Sequence, residues 1–319
     1  MKKVLAIICA AVMLLSLAAC TPNANDGKFV VGICQIEPHP ALDAATKGFK
    51  EALVQELGAD KVTFIEQNAA GDSNTLNSII NDFVSKKVDL ILANSTPVLQ
   101  TASSATTVIP ILGTSVTEYS VALGLKDFNG TVGGNVSGTS DLAPLDKQAE
   151  MILTWFPDAK NIGLLYCAAE PNSKYQVDYV ESYLAAKGLN VKHYAFSSSS
   201  DLAAVTEKAA AESDVIYIPT DNTVANSTGV VDGICRAKKV PIITGDEGTC
   251  SGCGVATLCI SYEDLGRTTG KMAAKVLKGE VKISELPVEY AGAPTAKYNK
   301  EICTELGLTP PEGYVAIGE

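Results

Sequence analysis

Residues 88–97 read Val88-Asp89-Leu90-Ile91-Leu92-Ala93-Asn94-Ser95-Thr96-Pro97. An apolar run of strand length ends in polar residues, and Pro97 stands where a helix favours proline, in its first turn. A strand with apolar residues on both faces needs cover on both faces, the mark of a buried parallel sheet. The unit recurs on either side. Phe29 to Cys34, Val62 to Glu66 and Val108 to Leu112 read as further strands. Pro40 to Leu57 carries Leu42, Ala45, Phe49, Ala52 and Leu53 on one helical face and stops at Gly58; Leu76 to Val84 is a second helix, with Asp72 and Ser73 as N-caps.

Gly130 to Gly138, with four glycines and Val132 and Val136, interrupts the rhythm and predicts an extended crossover. Alternation then restarts. Strands are expected at Asn161–Tyr166, Asn190–Tyr194, Asp214–Pro219 and Pro241–Thr244, separated by helices at Tyr175–Lys187, Leu202–Glu212 and Val224–Lys238. A second extended piece, Val255 to Ile260, leads into the amphipathic helix Tyr262 to Leu277, and Leu286 to Glu289 is a late strand. The pattern predicts an α/β protein of two similar units, with chain crossings near 135 and 255. Ligands of open α/β sheets lie beyond the carboxyl ends of the strands, so two facing units would share one cleft.

The first residues bear on compartment. Lys2 and Lys3 precede an apolar run from Val4 to Leu15, and Leu17-Ala18-Ala19 offers small residues for cleavage just before Cys20. Such a segment is a removable secretory signal (1–19), too short to span a bilayer. The order Leu-Ala-Ala-Cys resembles the bacterial lipobox, which implies diacylglyceryl modification of Cys20. Residues 20–27 then read as anchor and tether. The chain has 36 Asp and Glu against 25 Lys and Arg, a net charge of −11. A balance this acidic argues against nucleic acid and against electrostatic attraction to anionic lipid. Membrane attachment is therefore expected through the lipid.

Polar residues collect at the predicted strand ends. They are Gln35, Glu37 and His39; Asn94, Ser95 and Thr96; Thr114 and Ser115; Glu170, Asn172 and Ser173; Thr220, Asp221 and Asn222; and Asp246 with Glu247. Hydroxyls and helix N-termini suit a carboxylate, and acids on the opposite unit suit an ammonium group. A zwitterion is the simplest ligand for this set. Each of these residue types also caps helices, so no single one is decisive.

Several segments carry a family resemblance: Glu37-Pro38-His39-Pro40-Ala41-Leu42-Asp43-Ala44, Asn68-Ala69-Ala70-Gly71-Asp72, Ser95-Thr96-Pro97 and Gly134-Asn135-Val136-Ser137-Gly138. They continue with Gly163-Leu164-Leu165-Tyr166, Pro219-Thr220-Asp221-Asn222-Thr223-Val224, Leu265-Gly266-Arg267-Thr268-Thr269-Gly270 and Leu286-Pro287-Val288-Glu289. In this order, from about Phe29 to Pro310, the chain resembles the substrate-binding lipoproteins of ABC transporters of the tryptophan/tyrosine type. The resemblance implies a type I periplasmic-binding-protein fold: two Rossmann-like lobes with parallel sheets, hinged by three crossover segments, closing on an aromatic amino acid. It implies a permease and an ATPase as partners, no cofactor, no metal and no enzymatic activity. The lobes are expected at 28–136 with 260–290 and at 137–259 with 291–319. Carried over residue by residue, Ser95, Thr96, Thr114 and Ser115 would hold the carboxylate. Asp221 and Asp246 would hold the ammonium, with Gln35, Glu37, Asn172, Ser173 and Asn222 nearby. The chain departs from the family at Val116-Thr117-Glu118-Tyr119, where the family tends to read Val-Thr-Asp-Pro, and at Cys259-Ile260-Ser261-Tyr262-Glu263. Tyr119 is expected either to stack on the ligand or to be a packed surface tyrosine.

Beyond Cys9 and Cys20 there are seven cysteines, an odd number, so at least one is unpaired. Cys250-Ser251-Gly252-Cys253 has the C-x-x-C spacing but lacks a second pair for zinc; a local disulfide or two free thiols in a loop is expected. His39 is expected at the cleft mouth, and His193 in a structural role. No Ser–His–Asp order or phosphate loop is apparent. Three functions stay open from sequence: delivery of a solute to an importer, presentation of a ligand to a membrane receptor, and an exported thiol oxidoreductase.

Overall fold

The computed structural model describes residues 27–318; the secretory signal, Cys20 and most of the tether lie outside them. Strands Phe29–Gln35 (β1), Val62–Asn68 (β2), Leu90–Asn94 (β3), Ile111–Val116 (β4) and Val136–Ser140 (β5) form a parallel sheet, joined late in the chain by Glu289–Tyr290 (β11). Their order across the sheet is β11-β5-β4-β3-β1-β2. The second sheet takes Asn161–Cys167 (β6), Asn190–Phe196 (β7), Val215–Ile218 (β8), Ile242–Thr244 (β9), Ala256–Cys259 (β10), Thr295–Tyr298 (β12) and Val315–Ala316 (β13). It runs β13-β12-β10-β9-β8-β6-β7 and is parallel except where β12 pairs antiparallel with β10. The fold is α/β, with each sheet covered by helices on both faces.

The central strands explain why this arrangement forms. Every residue of β3 and β4 is buried, as expected for strands enclosed between helix layers. The helix Pro40–Leu57 buries Leu42, Ala45, Phe49, Ala52 and Leu53, the face its spacing predicts. It packs lengthwise against the helix Tyr262–Leu277 with backbones in near contact. A Cβ at Gly266 would lie 2.0 Å from the Ala45 carbonyl oxygen, and one at Gly48 would lie 2.1 Å from that of Glu263. Glycine is required at both positions by space. This contact returns the chain, after its passage through the second sheet, to the first lobe.

Sheet membership places the crossings between Ser140 and Leu145, between Cys259 and Tyr262, and between Tyr290 and Thr295. The first differs from the crossing expected near 135. Residues 130–135 are a turn leading into β5, and β5 is bonded along β4, so the whole strand belongs to the first sheet. The late strand also shifts. Pro287 has no N–H to give a ladder, and pairing with β5 begins only at Glu289, after a 3₁₀ turn at Ile283–Glu285. The helix expected at Val224–Lys238 is two helices, Asn222–Ala225 and Thr228–Lys238. The C-x-x-C segment, expected in a loop, ends a short helix, Glu247–Cys253, capped by Asp246.

Candidate functional site

The carboxyl ends of both sheets face one another across a narrow cleft. From the first lobe and the crossings come His39, Leu42, Ser115, Thr117, Asp141 and Tyr262. From the second come Asn172, Thr220, Asp221, Asn222, Ala225 and Asp246. The lobes touch directly: His39 Nε2 and Asn222 Oδ1 are 3.3 Å apart, and the hydroxyls of Thr117 and Thr220 are 3.5 Å apart. The free space between these walls is about 20 Å³, room for a single water, so a ligand requires the lobes to part. A wider cavity of about 550 Å³ adjoins it, sharing Ala41, Ala225 and Tyr262 and adding Pro40, Ala44 and Ile260.

Backbone strain gathers on the first-lobe side. Ser95 has φ +123° and Ser115 φ +54°, regions that L-residues rarely occupy. Ser95 precedes the helix Thr96–Ala105 and Ser115 lies near the end of β4, and the Ser95 N–H donates to Thr114 O at 3.0 Å. The hydroxyls of Ser95, Thr96 and Ser115 are buried without a hydrogen-bond partner, as are Asn172 Oδ1 and Asp141 Oδ1. Buried polar atoms are normally paired; of these residues Ser115, Asp141 and Asn172 line the cleft, as does His39, whose Nδ1 is also without a partner.

Asp141, which the sequence reading did not single out, is the least satisfied acid. It is 4 % exposed, and its Oδ2 accepts a hydrogen bond from the Tyr262 hydroxyl at 2.8 Å while Oδ1 has no partner. Burial pushes its carboxyl up to about 6, with the charge of Asp246 adding and the hydroxyls of Tyr262 and Thr117 opposing. No motif signals it: it lies just beyond β5, in a crossing that the sequence reading placed earlier.

The two acids assigned to the ammonium are already engaged. Asp221 caps the helix Asn222–Ala225: Oδ1 accepts from Val224 N at 3.0 Å and Oδ2 from Cys167 N at 2.7 Å. Burial, with Glu170 beside it, holds its carboxyl well above the usual range. Asp246 caps Glu247–Cys253 through Thr249, whose N–H and hydroxyl donate at 2.8 and 2.7 Å. Glu170 binds the N–H groups of Asn222 and Thr223 at 3.1 and 2.9 Å. Burial raises Glu37, which lies near Glu170 and bonds the Asn226 side chain from the other lobe.

Three predicted residues lie behind the cleft. Gln35 spends its amide on Asp43 and Thr46; Thr114 is sealed in the sheet and accepts from the Thr139 hydroxyl at 3.3 Å; Ser173 donates to Thr220 O at 3.3 Å. Tyr119 is placed neither at a ligand nor on the surface. It is 1 % exposed in the first-lobe core, with its hydroxyl donating to Thr139 O at 3.2 Å over Gly113 and Gly138, whose missing side chains make room for the ring.

All seven cysteines of the described residues are free and buried. Burial raises the Cys250 and Cys253 thiols well above their ordinary value, the opposite of an activated redox pair. His193, read as structural, comes together with Asp178 and Glu181 on the outer face of the second lobe, ligand-type atoms within 4.8 Å. These groups are partnered within the protein: His193 with Tyr166 and Glu181, each at 3.1 Å, and Asp178 with Lys174 at 2.7 Å.

Comparison with known proteins decides the family. Residues 30–317 match the model for ABC transporter substrate binding proteins. The chain belongs to that family. Its members are extracytoplasmic, and ligand binding rather than catalysis defines them. The chain is 39% identical over 302 residues to the tyrosine-binding protein of Clostridioides difficile strain R20291, covering 90% of this chain and 87% of that one. It superposes with a TM-score of 0.86 on a Streptococcus pneumoniae ABC domain in complex with L-Trp, at 33% identity over 91% of this chain and all of that one. Against the ligand-free, open structure of a Clostridium difficile substrate binding protein with adhesive properties, identity is 38% but the TM-score is 0.69, with 91% and 99% covered. The substrate-binding protein described here is thus nearer in shape to the ligand-bound relative, in keeping with its lobe-to-lobe hydrogen bonds. The comparisons bear out the α/β type I periplasmic-binding-protein fold expected from the resemblance.

Proposed function

We propose that this protein captures an aromatic amino acid between its lobes and delivers it to the permease and ATPase of an ABC importer. The observation that carries the reading is Asp141 Oδ1, a buried carboxylate oxygen without a partner, on a residue lining the cleft beside a wider cavity of mixed lining. The ligand ammonium would bond Asp141, with Asp246 supplying further negative field. The unpartnered hydroxyls of Ser95, Thr96 and Ser115 would meet the carboxylate. The ring would extend past Tyr262 into the cavity bounded by Pro40, Ala44, Ala225 and Ile260. The relatives named for tyrosine and solved with L-Trp support an aromatic side chain.

Closure follows from this geometry. A ligand that bonds the first lobe and the second favours the state in which both are within reach, and so shifts the hinge equilibrium by its differential affinity. Anchoring belongs to the same reading. Cys20, outside the described residues, would carry the lipid that holds the trap at the outer face of the membrane.

Thermal shift against the twenty amino acids tests the ligand. A ligand present at a hundredfold excess over Kd adds about 2.7 kcal/mol of stability. A shift confined to tyrosine, tryptophan or phenylalanine is expected; a shift only with aliphatic or acidic amino acids overturns the aromatic assignment. Replacing Cys20 by alanine is expected to release the protein from the membrane fraction; a variant that stays membrane-bound contradicts the anchor.

A further inference from the structure

The charged side chains lining the cleft are Asp141, Asp221 and Asp246, and Glu37 and Glu170 approach from behind. Among the described residues no lysine or arginine lines it. Lys297, which lines the adjoining cavity, is already paired with Glu247 at 2.7 Å. Glu263 at that cavity is likewise engaged, by Lys47 at 2.9 Å and Arg267 at 2.7 Å. A zwitterion brought here meets carboxyl groups at its ammonium end, among them Asp141 and Asp246. For its carboxylate the cleft offers no lysine or arginine, only the hydroxyls of Ser115, Thr117 and Thr220, the amides of Asn172 and Asn222, and the imidazole of His39, which is already shared with Asn222.

The imbalance has an energetic consequence. In a closed, poorly solvated cleft an ammonium–carboxylate contact is a charge-assisted bond, roughly twice as strong as a neutral one. The ligand carboxylate gains neutral hydrogen bonds there and is repelled by the acids across the cleft. The acids also repel one another. Glu37 of the first lobe faces Glu170 of the second, and Asp141 faces Asp246. Closure therefore needs a positive charge between the lobes more than it needs a negative one.

Building on the aromatic-ligand reading, we infer that the site selects for a primary ammonium and not for the α-carboxylate, so that aromatic amines and carboxyl-blocked aromatic amino acids are ligands as well. The amine lacks the group that the acids repel, and the hydroxyls it leaves free are small and able to take water. An N-acylated amino acid keeps the carboxylate and loses the charge that draws the lobes together.

Calorimetric titration of the purified protein with L-tyrosine, L-tyrosinamide, tyramine and N-acetyl-L-tyrosine reads this directly. Tyrosinamide and tyramine are expected to bind within tenfold of L-tyrosine, and N-acetyl-L-tyrosine at least a hundredfold more weakly. L-Tyrosine binding with tyrosinamide and tyramine both weakened a hundredfold overturns the inference and leaves the amino-acid reading standing. N-Acetyl-L-tyrosine binding as tightly as L-tyrosine also overturns it. Tyramine and tyrosinamide binding without L-tyrosine, L-tryptophan or L-phenylalanine upholds the inference and overturns the amino-acid reading. Binding by none of these compounds overturns both.

Discussion

The hydroxyl of Tyr262 donates to Asp141 Oδ2 at 2.8 Å, and the two residues stand on different chain crossings between the lobes. Asp141 follows the last strand of the first sheet before the chain leaves it, and Tyr262 opens the helix by which the chain returns. The bond thus ties two hinge segments together and leaves the second carboxylate oxygen, Oδ1, without a partner.

Asp141→Asn separates the two roles. The amide keeps an acceptor for Tyr262 but removes the charge that the ammonium needs and that burial penalises. Affinity for an aromatic amino acid is expected to fall at least tenfold, about 1.4 kcal/mol or more, by calorimetry. The ligand-free variant is expected to unfold at a higher temperature at pH 7, by on the order of 1–3 kcal/mol of added stability. An unchanged affinity contradicts the assignment of Asp141 to the ammonium.

Acidity acts on the same group. The Asp141 carboxyl is raised from 3.8 to about 6, so between those values the folded protein binds a proton that the unfolded chain does not. This carboxyl therefore favours the unliganded fold at low pH, and that contribution is lost as pH rises through 6. Ligand binding has the opposite sign, because only the ionised form accepts an ammonium. Affinity is expected to be full above pH 7 and to decline as pH falls through about 6, measured by titration from pH 5 to 8. The acids facing Asp141 include Asp246, whose charge raises the midpoint of the dependence. A flat profile contradicts it.

Gly266 meets the Ala45 carbonyl where the helices Pro40–Leu57 and Tyr262–Leu277 cross. Gly266→Val forces them apart and is expected to destabilise the protein by about 1–3 kcal/mol in chemical denaturation. Tyr262 moves with its helix, so ligand affinity is expected to fall as well. Full stability in the variant contradicts the backbone contact.

The cysteines are inert in this account. Cys250 and Cys253 are buried at 0 and 3 % exposure with raised thiol pKa values. A thiol-modifying reagent is expected to leave them unlabelled in the native protein and to label them after unfolding. Cys253→Ser is expected to keep ligand affinity within twofold. Rapid native labelling would restore the oxidoreductase reading.

The fold was legible in the sequence because the strands are continuous apolar runs bounded by caps and prolines, as at Val88–Pro97. The site was legible in outline, since polar residues at strand ends are read directly from that pattern. What the pattern hides is orientation. Gln35 and Thr114 stand at or near strand ends yet spend their polar atoms inside the first lobe, and Tyr119 turns into the core over Gly113 and Gly138. Asp221 and Asp246 are caps first, their oxygens committed to backbone N–H groups. Asp141 was missed because a crossing has no periodicity to mark it, and its burial arises only when both lobes and Tyr262 enclose it.

The most direct test is a crystal structure of the protein grown with L-tyrosine. The ligand ammonium is expected within about 3 Å of Asp141 Oδ1, with the ring in the cavity between Pro40 and Ile260. A ligand bound outside the inter-lobe cleft, or one whose carboxylate and not its ammonium faces Asp141, would contradict it.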